Sequence, residues 1–477
     1  MNDIREFDVI VLGAGPAGEV CAGRLAEAEL SVALVEQDLI GGECSFYACM
    51  PSKALLRPGQ ALAETRRVEG AAQAVTGSLD VDAVLARRDE IVHELDDSAQ
   101  LPWLEDREIT LFRGHGELAG ERRLRVGDEL LGARRAIVLA PGTAAEIPPI
   151  PGLREAVPWT NRKATTAAAV PRSLLVLGGG VVAVELAQAY ASLGTRVTVI
   201  EAQERLISRE EEFAAELLRE ALADAGVEVV LGVEVTAVER EPRPDAGTAG
   251  AGAGAERPVT LKLKDGRSFS GEELLVAVGR HPHTDSLGLD SIGLEPGGFV
   301  EVDETMRVTG HDWLYVVGDA NGRVLLTHMG KYQGRLVADH ILGHPVALRS
   351  DGPLSPRVIF TEPQVAAVGY TLASAKQAGI DAQAFDQSTE GNAGGSFIGH
   401  GAPGKCRIVV DRDRRVIVGA TFTGVDVAEW LHAATIAVTA EIPLERLLHA
   451  VPAFPTRSEV WLKLLEECTS ALSLRMI

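Results

Sequence analysis

Two cysteines stand five positions apart in the run Gly41-Gly42-Glu43-Cys44-Ser45-Phe46-Tyr47-Ala48-Cys49-Met50-Pro51-Ser52-Lys53. Thiols at that spacing can close a small disulfide and open it again on reduction, which is redox chemistry rather than the stapling of a loop. The chain has 5 cysteines in 477 residues, too few for a secreted disulfide scaffold. Cys44 and Cys49 therefore read as the redox pair, and Cys21, Cys406 and Cys468 as bystanders.

What positions the pair is a nucleotide-binding unit. Residues 7–12 (Phe-Asp-Val-Ile-Val-Leu) form the short apolar run of a buried parallel strand, and Gly13-Ala14-Gly15-Pro16-Ala17-Gly18 follows at once. An amphipathic stretch over 19–28 and a second strand over 31–35 lead to Glu36. The glycines permit a tight turn and let a pyrophosphate approach the backbone at a helix N-terminus, while Glu36 can accept from a ribose hydroxyl. The pattern repeats: strand 174–177, turn Gly178-Gly179-Gly180-Val181-Val182-Ala183, helix 184–193, strand 197–200 and then Glu201. Two such units imply two dinucleotides. A carboxylate at Glu201 accepts from a free 2′-hydroxyl and repels a 2′-phosphate, which favours NADH over NADPH, with Arg205 as the nearby cation that argues the other way.

Composition narrows the class. With 46% hydrophobic and 24% charged residues the chain can bury several cores, and three domains are expected. A net charge of −22 speaks against nucleic acid as a partner. No apolar run is long enough to span a membrane and residues 1–7 are polar, so a soluble, cytoplasmic protein is expected. Residues 54–110 read as mostly helical, with His93 and His115 isolated and satisfied rather than catalytic. Residues 136–143 read as a buried strand entering a turn at Gly142-Thr143, and 147–152 as a crossover. Residues 241–258, rich in Gly, Ala and Pro, read as a flexible hairpin tip. Another buried strand ends in Gly318-Asp319, whose carboxylate suits a sugar-like hydroxyl chain, and from about Pro353 a separate α+β domain begins. No Cys/His spacing supports a metal site.

The assembled pattern resembles the FAD-dependent pyridine nucleotide-disulfide oxidoreductases, the family of glutathione reductase, dihydrolipoyl dehydrogenase and mercuric reductase. The resemblance rests on the two glycine turns, the Cys44 to Lys53 box, Glu185 after the second turn, Val278-Gly279-Arg280, Gly318-Asp319, Phe360-Thr361-Glu362-Pro363 and the tail Phe454-Pro455-Thr456-Arg457-Ser458-Glu459. It implies an α/β fold: an FAD-binding domain over 1–155 with 281–350 returning to it, an NAD(P)H-binding domain over 156–280, and an interface domain over 351–477 that builds a two-fold homodimer. Hydride would pass from NADH to FAD, then as an electron pair to the disulfide. Cys49 would lie against the flavin and Cys44 would attack substrate. Lys53, paired with Glu185, would hold a positive charge beside the flavin N5. FAD contacts would come from Gly13, Gly15, Pro16, Ala17, Gly18, Glu36, Gly42, Gly142, Thr143, Gly318 and Asp319. Those to NADH would come from Gly178, Gly180, Val182, Glu201, Gly279 and Arg280.

One departure stands out. The family's disulfide reductases read His-Pro-Thr-x-x-Glu in the tail, the histidine serving as acid and base toward the interchange thiol. Here Glu459 remains and the histidine is Phe454. A phenyl ring carries no proton, and a placed general acid–base is typically worth about 10²- to 10⁴-fold. Three readings follow. A disulfide is reduced with a substitute proton donor, Tyr47 or His449 being the candidates. Alternatively, electrons go to a quinone-like small acceptor stacked on Phe454, with Phe46 and Tyr47 completing an aromatic pocket. In the third, the chain is a redox-sensing flavoprotein or an assembly component. Mercuric reductase itself is disfavoured, because its C-terminal vicinal cysteines are absent.

Overall fold

The computed structural model describes residues 4–240 and 258–473. The expected hairpin tip at 241–258 therefore lies, but for Pro258, outside the described residues. The chain divides into two compact units. One comprises Met1–Pro51, Arg87–Glu146 and Gly279–Gly352, the other Ser52–Ala86, Ile147–Val278 and Pro353–Ile477.

The first unit is built on the strand Arg5–Leu12, which pairs in parallel with Val32–Glu36 on one side and Glu129–Leu139 on the other. From Val9 to Leu12 it is buried on both faces and reads as a continuous apolar run rather than an alternating one. A register shift between Phe7 and Val9 changes its phase. Phe7, Ile10 and Leu12 consequently share one core with Phe112 and Leu139, while Val9 and Val11 meet Cys21 and Leu25 of the helix Pro16–Glu27 in another. Thr110–Arg113 extends the sheet beyond Val32–Glu36. The strand Glu129–Leu139 is long enough to pair twice along its far edge. Its first half takes Arg123–Val126 antiparallel and its last residues take Leu314–Val316 parallel. That second pairing ends at Val316↔Leu139 and so brings the Gly318-Asp319 turn to the same sheet edge as Thr143. The helix Thr327–Ile341 crosses Pro16–Glu27 closely because Gly330 and Gly334 face Ala17; a Cβ at Gly334 would come within 2.5 Å of the Ala17 carbonyl oxygen.

The second unit carries a four-stranded parallel sheet in the order Glu228–Val230, Arg196–Ile200, Ser173–Leu177, Glu273–Val276. A three-stranded antiparallel meander, Val235–Arg240, Val259–Leu263 and Ser268–Gly271, is inserted between its strands Glu228–Val230 and Glu273–Val276. Its last segment holds a five-stranded antiparallel sheet, Arg357–Ile359, Gln364–Gly369, Val416–Gly424, Lys405–Asp411 and Ala382–Ser388. The helices Leu431–Thr439 and Val460–Leu472 close this sheet through Leu431, Val438, Leu464 and Cys468 packed around Phe422. Cys21, Cys406 and Cys468 are each fully buried among apolar side chains, which fits them as bystanders. No helix of the described residues is long and apolar enough to cross a membrane.

Candidate active site

The two glycine turns have the same construction. In the first, the Ala14 and Asp38 amides donate to the two Glu36 carboxylate oxygens at 2.6 and 2.7 Å. In the second, the Gly179 and Gln203 amides donate to the two Glu201 oxygens at 2.5 and 2.7 Å. Each acid is thus fixed at the strand end by two backbone amides and keeps acceptor capacity on both oxygens. A side chain at Gly13 would meet the Ala140 carbonyl oxygen at 2.1 Å, and one at Gly178 the Ala277 carbonyl oxygen at 2.4 Å. By contrast, a Cβ on Gly15 or Gly180 would have nothing within 4 Å. These two glycines precede the helices Pro16–Glu27 and Val181–Ser192, and no side chain caps either helix start. First-turn amides left open over a bare backbone suit a pyrophosphate, so the residues present fit two dinucleotides.

The thiol run hangs on the first turn. Gly41 donates to the Ala14 carbonyl at 2.8 Å, and Gly42, at φ 59°, lies so close that a Cβ there would stand 2.8 Å from the Gly15 Cα. The short helix Gly42–Phe46 then carries Cys44, and Cys49 opens the helix Cys49–Arg67. Both sulfurs are thiols and hydrogen-bonded to each other. That bond, burial and the negative charge of a Cys49 thiolate all push the Cys44 thiol far above its usual range; the Thr327 hydroxyl and Lys331 oppose them. Thr327 Oγ1 also lies 3.4 Å from Cys49 Sγ. Phe46 corrects the expectation of an aromatic pocket. It is only 3% exposed and turned inward, its ring 3.1 Å from where a Gly41 Cβ would stand, so it is a core residue of the loop and cannot line an open pocket.

Near the same turn, Thr143 Oγ1 donates to Asp319 Oδ2 at 2.7 Å while Arg280 donates through Nε to Thr143 Oγ1 and through Nη2 to Thr143 O, both at 2.6 Å. Glu43 Oε1 stands 3.7 Å from Arg280. Burial pushes the Asp319 carboxyl up, against the Thr143 hydrogen bond and the Arg280 charge. Gly142 and Gly279 occupy positive φ at the ends of this network, 72° and 156°.

In the second unit Lys53 Nζ donates to Glu185 Oε2 at 2.7 Å, and the other carboxylate oxygen accepts the Phe360 amide at 2.9 Å. The ammonium stands 4.7 Å from the centroid of the Phe360 ring. Val182, at the start of the helix that carries Glu185, is exposed. Arg205 donates to the Ser208 carbonyl at 2.8 Å. In the tail, Phe454 is 77% exposed, whereas Glu459 keeps one oxygen, Oε2, buried with no hydrogen-bond partner. His449 is exposed and Tyr47 half-buried. His115 is satisfied, bonded to Ser286 O at 2.7 Å and to Gln37 Oε1 at 3.1 Å.

Reading the sequence missed Thr327, Lys331, the Glu43–Arg280 contact and the Phe360 ring beside Lys53. The first two open a helix more than 270 residues beyond the thiols, where no spacing ties them together. Phe360 stood in a recognised motif, but only its place at a domain start was legible.

Comparison with known proteins agrees with this geometry. Residues 7–334 match the family model for pyridine nucleotide-disulphide oxidoreductases, and residues 355–465 that family's dimerisation domain. The chain is 30% identical to dihydrolipoyl dehydrogenase of Chlamydia pneumoniae, over 96% of each sequence. It is 27% identical to mercuric reductase of Staphylococcus aureus, over 96% of this chain and 82% of the relative. In fold it matches the HOCl-induced flavoprotein disulfide reductase RclA of Escherichia coli with a TM-score of 0.82 at 24% identity, over 96% of this chain and 99% of the other. The chain belongs to the pyridine nucleotide-disulphide oxidoreductases and is a FAD-dependent enzyme of that family.

Proposed function

We propose that the protein is a homodimeric, NADH-dependent reductase that stores an electron pair on Cys44 and Cys49. It hands that pair to a small acceptor, a quinone-like molecule or a disulfide, which takes its proton from water. FAD, when bound, supplies the relay between nicotinamide and thiols. Around it the chain's own residues do the positioning: Glu36 and Asp319 hold the ribose and ribityl hydroxyls, and Lys53, fixed by Glu185, presents a cation where negative charge accumulates. Cys49 bears the thiolate that faces the flavin, and Cys44 meets the acceptor. In a two-fold dimer each tail reaches the other chain's thiols. NADH is favoured because Glu201 projects a carboxylate at the strand end and Arg205 is engaged with Ser208. Three cysteines buried singly suit a reducing cytoplasm.

The observation that carries this reading is Phe454, an exposed ring where the resemblance gives the family an imidazole. An acceptor that needs a proton delivered to a leaving thiolate is disadvantaged there, and a flat ring is accommodated. Steady-state NADH oxidation against lipoamide, glutathione disulfide and naphthoquinones tests it, with Cys44→Ser beside the unmodified enzyme. Naphthoquinone turnover well above disulfide turnover is expected. Lipoamide turnover that matches or exceeds it would sink the reading.

A further inference from the structure

Phe360 touches both members of the Lys53–Glu185 pair. Its amide donates to Glu185 Oε1 at 2.9 Å, and its ring centroid lies 4.7 Å from Lys53 Nζ. The ammonium also donates to Glu185 Oε2 at 2.7 Å and to Ser52 Oγ at 3.3 Å. A single carboxylate oxygen lets an ammonium on a four-carbon stem swing around it, whereas an aromatic face adds a second point of attraction and so sets a direction. The ring can do this because residues 360–362 are themselves held from two sides. From the helix Cys49–Arg67, Gln60 donates to the Phe360 carbonyl at 2.7 Å and Arg67 pairs with Glu362 at 2.9 Å. From the helix Val181–Ser192, Gln188 accepts the Glu362 amide at 2.6 Å and donates to the Glu362 carbonyl at 2.8 Å.

We infer that Phe360 is a positioning residue whose ring fixes where the Lys53 ammonium stands, so that the segment beginning at Pro353 helps to set the reduction potential of the bound flavin. This role rests on the reading that Lys53 presents its charge where negative charge accumulates on reduction. The Lys53 side chain is 34% exposed and that of Glu185 4%. Without the ring, therefore, the ammonium is the member of the pair that can turn toward water. The bonds from the Phe360 amide to Glu185 and from Gln60 to the Phe360 carbonyl are made to backbone atoms and require no particular side chain. Exchanging the side chain thus removes the ring and leaves those bonds in place.

Replacing Cys44 and Cys49 with serine in the holoenzyme leaves the bound flavin as the sole two-electron centre. Its slow reduction by xanthine and xanthine oxidase, beside a dye of known potential, reads the ratio of reduced to oxidised flavin. An aromatic contact with an ammonium this exposed is worth about fivefold in population, which is the ceiling for the effect. In that background Phe360→Leu should lower the ratio at a fixed dye potential about two- to fivefold, equivalent to about 9 to 21 mV for a two-electron couple. Phe360→Met should do the same, and Phe360→Tyr should leave the ratio unchanged. Lys53→Met should lower it further, and adding Phe360→Leu to Lys53→Met should change nothing more. That comparison separates action through Lys53 from a general loosening of the site, which would add to the effect of Lys53→Met. A ratio unmoved by Phe360→Leu and Phe360→Met, a Phe360→Tyr effect as large as theirs, or a full Phe360→Leu effect in the Lys53→Met protein overturns the role of Phe360 alone. A ratio that Lys53→Met itself does not lower overturns the reading of Lys53 beneath it.

Discussion

The Lys53–Glu185 pair is asymmetric, and the asymmetry can be measured. Glu185 has a side chain only 4% exposed, whereas that of Lys53 is 34% exposed. Lys53→Met therefore strands a buried carboxylate. Breaking a buried pair from one side typically costs about 3–5 kcal/mol, and because the Phe360 amide still donates to Glu185 the lower end, about 3 kcal/mol, is expected. Glu185→Gln strands an ammonium that water already reaches, and its amide oxygen can keep the Phe360 bond, so about 1 kcal/mol is expected. The double variant has no buried charge left and only an amide to satisfy, for about 2 kcal/mol, well short of the sum. Thermal unfolding of the holoenzyme at fixed flavin concentration converts these to about 6, 2 and 4 °C, taking roughly 2 °C per kcal/mol for a unit of this size. A Glu185→Gln protein that melts as low as Lys53→Met, or a double variant that melts at the sum of the two, would refute the claim that burial of the carboxylate decides the energetics.

The nucleotide preference should follow Glu201. Replacing it with Ala removes both the ribose acceptor and the repulsion of a 2′-phosphate, and the NADH-to-NADPH ratio of kcat/KM should fall at least about tenfold, the worth of one charge-assisted hydrogen bond; a ratio that does not move, or a parent enzyme that prefers NADPH, contradicts the assignment. Restoring the imidazole should restore disulfide chemistry: Phe454→His places a base within the tail where Glu459 Oε2 is buried and unpartnered, and lipoamide turnover should rise about 10²-fold. If lipoamide turnover stays flat, the missing base is not what limits this acceptor.

Both glycine turns were legible because their chemistry is local. Strand, turn, helix, strand and acid fall within 30 residues, and the hydrogen bonds that fix Glu36 and Glu201 span the same separations in both copies. The thiol run was legible for the same reason. Phe46 was misread because its direction depends on a five-residue helix that starts at Gly42 and turns its last residue inward, which composition does not reveal. The strand Val416–Gly424 hid because every residue in it is buried, leaving no alternation, and Ala382–Ser388 because its half-buried, polar sequence reads as a loop. Thr327 and Lys331 lay beyond reach for a topological reason: the Leu314–Val316 strand returns to the first sheet only after the second nucleotide unit has been completed.

Constraint is distributed unevenly over the site, and that says where its function can vary. Each residue assigned to storing electrons or gripping a nucleotide is fixed by more than one partner: Glu36 and Glu201 by two amides each, Glu185 by an ammonium and an amide, Asp319 by Thr143 with Arg280 behind it. A change at any of them removes hydrogen bonds that fix the site and therefore costs stability. The residues assigned to the exit of electrons are held differently. Phe454 is 77% exposed, and His449 is exposed as well. Substitutions there remove little packing, so they can alter acceptor choice while melting temperature stays nearly constant. The replacement of an imidazole by Phe454 is a change of this second kind. On the proposed reading it changes which molecule can take the electrons and leaves the store of electrons, at Cys44 and Cys49, intact.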